Sequence, residues 1–63
     1  MQYRRDDRVR IVADGPGHGL TATVARTAIN NYGEQQVYVH GAGVFTGPWY
    51  EDELELVFRL EAP

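Results

Sequence analysis

The chain is predicted to be all-β, one small barrel of five strands. Three observations lead there. Short runs alternate apolar and polar residues, as at Val9/Ile11, Ala22/Val24 and Val37/Val39. Clusters of Gly, Asn and Pro separate those runs. No helical pattern of ten residues exists anywhere in the chain. With 63 residues, only one domain is expected, near the lower limit for folding without staples. Closing the strands into a barrel removes the exposed edges that an open sheet leaves.

In chain order, Arg8–Val12 reads as the first strand, with Val9 and Ile11 inward and arginines outward. Asp14-Gly15-Pro16-Gly17-His18-Gly19 is a turn cluster that no regular element tolerates. Leu20–Arg26 alternates again, with Leu20, Ala22 and Val24 inward. Asn30-Asn31-Tyr32-Gly33 is a hairpin tip, because Asn and Gly accept the positive φ of tight turns. Gln35–His40 is the third strand, with Val37 and Val39 inward. Glycines 41, 43 and 47 with Pro48 bracket a loop carrying Val44 and Phe45. Trp49-Tyr50 reads as the fourth strand, Glu51-Asp52-Glu53 as a single turn, and Leu54–Val57 as the fifth. Residues 58–63 form a tail.

Cysteine, serine and lysine are all absent. No disulfide frame or thiolate metal site is expected, and the commonest covalent nucleophiles and a P-loop lysine are missing. An enzyme is therefore not expected, nor is any cofactor or small-molecule substrate. No apolar run approaches the length of a membrane span, and Met1–Asp7 lacks the apolar region of a signal peptide. The expectation is a cytoplasmic protein, a place in a virion being compatible with the same features.

The net charge of −3 is unevenly spread. Residues 1–26 set Arg4, Arg5, Arg8, Arg10 and Arg26 against Asp6, Asp7 and Asp14. Residues 27–63 set Arg59 against Glu34, Glu51, Asp52, Glu53, Glu55 and Glu61. An acidic total argues against nucleic acid as the partner.

The segments Asp7–Val12, Gly19-Leu20-Thr21-Ala22-Thr23-Val24 and Trp49–Val57 together resemble the small bacterial and phage SH3-like barrels. The likeness spans residues 7–57. It implies an opening strand paired antiparallel with the closing one, so that Arg8 and Arg10 would face Glu53 and Glu55. Where the related KOW nucleic-acid modules have the second glycine of Gly-x-x-Gly-x-Val, this chain has Ala22. The aromatic signature of the eukaryotic SH3 peptide groove is missing, which argues against proline-rich ligands.

Of the residues that could carry chemistry, His18 and His40 lack metal-ligand spacing and read as idle surface histidines. Pro16 removes a donor from the glycine-rich loop, and a strand rather than a helix follows, so it is no phosphate cradle. Glu51, Asp52, Glu53 and Glu55 could bind a cation or a basic partner, but read first as cross-strand partners of the arginines. Aromatic residues are the best candidates. Alternation turns Tyr38 outward and places one of Trp49 and Tyr50 on each face. Phe45 sits between glycines with no evident core position. Tyr38, Phe45, Trp49 and Tyr50 are thus the candidate protein interface, the competing reading being that Phe45 and Trp49 cap one end of the core.

The function expected is a non-catalytic interaction or structural module that docks on a larger assembly or self-associates, as a phage-encoded small protein would. The alternative is a KOW-like nucleic-acid module using Arg4, Arg5 and Arg26 with Tyr32 and Tyr38.

Overall fold

A computed structural model describes residues 2–61. The chain is all-β: one open antiparallel sheet of four strands in the order β3-β2-β1-β4. The strands are β1 (Arg8–Ile11), β2 (Thr21–Ile29), β3 (Gln35–His40) and β4 (Leu54–Phe58). A single 3₁₀ turn, Glu51–Glu53, precedes β4. Among the described residues no helix is long and apolar enough to cross a membrane.

Where five strands were expected, the sheet has four. The segment Trp49-Tyr50 contributes only an isolated bridge, Val37 to Trp49. The reason is local. Pro48 has no N–H to offer a ladder, and Tyr50 already begins the 3₁₀ turn, its carbonyl accepting from Glu53 N at 3.0 Å. Trp49 alone is left to pair, exchanging two 2.8 Å bonds with Val37.

Alternation decides the core. Val9, Ile11, Ala22, Val24, Val37 and Val39 are buried, together with Leu54 from β4. Leu20 departs from expectation. It lies just before β2 and is 42 % exposed, because the chain is still leaving the 14–19 turn cluster there. Strand β2 also runs on to Ile29, beyond the expected end at Arg26. A register shift between Val24 and Arg26 leaves Ala25 unopposed and breaks the alternation that marks a strand.

The antiparallel pairing of first and last strands is present, with one half of its expected charge pattern. Arg10 is opposite Glu55 and bonds it at 2.9 Å. Arg8 does not meet Glu53. A register shift sets Arg8 against Phe58, and its guanidinium donates to Thr23 Oγ1 at 3.3 Å and Thr21 Oγ1 at 3.5 Å. Glu53 instead turns back to accept from Tyr50 N at 2.9 Å, closing the 3₁₀ turn.

The two outer strands of the open sheet are tied together by a residue outside any strand. Gln35 of β3 clamps the backbone of Tyr3, accepting from its N and donating to its O, both at 2.8 Å. The Tyr3 phenol donates to Leu54 O of β4 at 2.8 Å. Its ring is buried in the core. Arg59, in the expected tail, is held by Asp7, so the chain is pinned one residue past β4. Residues 62 and 63 of that tail lie outside the described residues.

Candidate interaction surface

Paired residues on neighbouring strands share a face, so the register separates the two sides of the sheet. Val9, Ala22 and Leu56 share the core face. The adjacent row, Phe58–Arg8–Thr23–His40, therefore lies on the outer face, as does the pair Arg26–Tyr38 beyond the bulge. Strand alternation carries this face on to Gln36, and from there to Tyr50.

Two of the four candidate aromatics stand on this outer face. Tyr38 is half-buried beneath Arg26, whose guanidinium carbon lies 3.8 Å from the ring centroid. Such a cation–π contact holds both side chains in one geometry. Tyr50 is also half-buried, and its hydroxyl accepts from Gln36 Nε2 at 3.3 Å.

The other two aromatics belong to the core end. Trp49 and Phe45 are both half-buried against the buried cluster. The Trp49 indole N–H donates to Phe45 O at 3.0 Å, so the pair closes one end of the core as a unit. Gly17 lies against the Phe45 ring: a Cβ there would come within 3.1 Å of Cγ. The structure thus divides Tyr38, Phe45, Trp49 and Tyr50 into two pairs with different surroundings.

Beside Tyr50, an open cleft of about 670 Å³ lies between the Tyr3 segment, the hairpin turn and the 3₁₀ turn. Glu34, Glu51 and Asp52 line it, and among the described residues no basic side chain does. Among the described residues, no group of three or more His, Cys, Asp or Glu side chains is arranged to hold a metal ion. The two histidines belong to different elements, His18 to the glycine-rich loop with Nδ1 3.0 Å from Ala13 O and His40 to the exposed end of β3.

Charge is therefore sorted in space as well as along the chain. Arg10 and Arg59 each meet a carboxylate, while Arg8 and Arg26 contact hydroxyls and a ring. Sequence reasoning missed this sorting, because it treated Arg8 as already neutralised by the acidic segment. Tyr3 and the Asp7–Arg59 pair were missed too, since neither has a local signal.

Comparison with family models, with characterised proteins and with solved structures gives no match. The functional reading therefore rests on the geometry alone.

Proposed function

We propose that the protein is a non-catalytic interaction module that docks a partner protein on its outer sheet face. The observation that carries this reading is the pair Tyr38 and Tyr50, each half-buried and each held by a polar neighbour, Arg26 at 3.8 Å and Gln36 at 3.3 Å. Rings already fixed lose little freedom on binding, which is what makes an aromatic side chain an interface anchor. Phe45 and Trp49 serve the module by closing its core.

The architecture we propose is an SH3-like barrel in which Trp49 stands for the fourth of five strands. The Val37–Trp49 bridge on one edge and the Tyr3 link between β3 and β4 support it.

A selection from a displayed peptide library against the immobilised protein tests the function. Peptides that bind wild type and lose binding to a Tyr38→Ala/Tyr50→Ala variant are expected. Selected peptides that bind this variant equally well would place the docking surface elsewhere.

A second reading, a nucleic-acid module of KOW type, is favoured by Arg8, Arg26 and Tyr38 sharing the outer face. Its mark is binding of a single strand that weakens steeply with salt.

A further inference from the structure

We infer that the outer-face patch of Arg8, Arg26, Tyr38 and His40 takes an acidic segment of the partner protein. This rests on the module reading above and adds the partner's chemistry. The patch is compact. Arg8 stands across from Thr23 and Thr23 across from His40, while Tyr38, two residues before His40 on β3, pairs with Arg26. No carboxylate occupies either of these pairing rows. Within the paired strands the adjacent row holds one carboxylate, Glu55, and Arg10 binds it at 2.9 Å; exposed Asp6, whose N–H bonds Val24 O, lies just before β1 and makes no ion pair among the described residues.

Both free guanidiniums are pre-positioned. Arg26 lies over the Tyr38 ring, its guanidinium carbon 3.8 Å from the centroid, and none of the described hydrogen bonds uses its N–H donors. Arg8 is steadied by the Thr21 and Thr23 hydroxyls, which leave it further N–H groups and its whole charge. A planar, oriented guanidinium is the partner that a carboxylate engages in two parallel bonds. Tyr38 adds apolar contact at the centre.

The same observations favour an acidic protein segment over nucleic acid. Arg26 already covers one face of the Tyr38 ring, where a base would stack. The chain carries a net charge of −3, and Glu34 and Asp52 are among the residues that line the cleft beside Tyr50. A long polyanion running past the patch meets that repulsion. A short acidic segment places its charge on the patch and ends there.

The test titrates the nitrogen-labelled full chain at low salt with three probes of equal length: a Glu/Ala peptide, its Lys/Ala counterpart and an oligothymidylate. The acidic peptide is expected to shift the amides of Arg8, Thr23, Arg26, Tyr38 and His40. An Arg8→Glu/Arg26→Glu variant should weaken that binding about tenfold or more. Arg26→Lys, which keeps the charge and loses the flat contact, should weaken it less, and the amide spectrum of each variant reports whether it is folded. Equal or tighter binding of the lysine peptide to this face would overturn the inference and leave the module reading standing. Tighter binding of oligothymidylate would overturn it in favour of the nucleic-acid reading. No shift with any probe would overturn it as well, and the library selection would then judge the module reading separately.

Discussion

Asp7 and Arg59, 52 residues apart, join the two ends of the chain through a bidentate ion pair. Arg59 Nε donates to Oδ1 at 2.9 Å and Nη2 to Oδ2 at 2.7 Å. The Asp7 side chain is only 2 % exposed, and Oδ2 also accepts from Arg4 N at 2.8 Å. A second bond from Arg59 Nη2 reaches Gln2 O at 3.0 Å. One guanidinium thus pins the segment before β1 to the end of β4.

The pair makes stability depend on acid. The hydrogen bond from Arg59 holds the Asp7 carboxyl below its ordinary value of 3.8, burial opposing and Arg4 assisting. A carboxyl whose pKa falls on folding contributes fully above its unfolded value and loses that contribution as pH drops through the folded one. Urea midpoints of wild type should therefore fall as pH decreases below about 4, and an Asp7→Asn variant should lose this part of the decline. At neutral pH, Asp7→Ala is expected to cost about 2 kcal/mol, the value of charged hydrogen bonds lost from a buried acceptor. An unchanged acid profile in the Asn variant would show that the pair does not govern it.

Tyr3 gives the opposite sign at high pH. Burial raises its phenol above 10.0, with the Glu55 and Asp7 carboxylates adding to the shift. An acid whose pKa rises on folding stabilises below its unfolded value and loses that contribution as pH climbs through the folded one. Wild type should weaken above about pH 10, and Tyr3→Phe should flatten that fall while costing about 1 kcal/mol for the bond to Leu54 O. Equilibrium unfolding across the alkaline range checks both.

Gly47 is expected to admit no side chain. Its φ is +98°, and a Cβ there would lie 2.6 Å from Val37 O and 2.9 Å from Trp49 N. Both atoms belong to the only bridge that holds Trp49 to β3 among the described residues. Gly47→Ala should cost about 1–3 kcal/mol from the backbone conformation alone, with the contact adding to it. Thermal unfolding reads the loss, and a midpoint equal to wild type would contradict the geometry.

The two aromatic pairs should separate cleanly on truncation. Trp49→Ala removes a ring packed on the core and should cost about 3 kcal/mol or more. Tyr38→Ala acts at the outer face and should cost about 1 kcal/mol, mainly the contact with Arg26. Denaturation midpoints of the two variants test this order. A Tyr38 variant as damaged as the Trp49 one would make Tyr38 a core residue.

Much of this was legible in the chain. Val9, Ile11, Ala22, Val24, Val37 and Val39 alternate with polar neighbours, and a half-buried strand forces that pattern, so the core face could be read directly. The Asn30 turn was equally readable, since its Oδ1 accepts from Tyr32 N at 2.9 Å and Glu34 N at 3.0 Å, a bond pattern native to Asn. The far end of β2 was hidden because the bulge at Ala25 shifts the phase of the alternation. Of the candidate surface, the outward direction of Tyr38 was legible and its pairing with Arg26 was not, because that bulge sets the register between them. Arg8 was assigned to the wrong neighbour because the antiparallel ladder that sets Arg10 against Glu55 carries Arg8 away from Glu53, towards Phe58. Tyr3 and Asp7 could not be placed, since what buries them is chain 32 to 52 residues away.

The most direct measurement is an amide shift map of the labelled chain with a peptide taken from the library selection. Shifts gathered on Arg26, Gln36, Tyr38 and Tyr50 are the predicted result. Shifts gathered instead on Phe45 and Trp49, with the outer face silent, would contradict the account and return the interface to the end of the core.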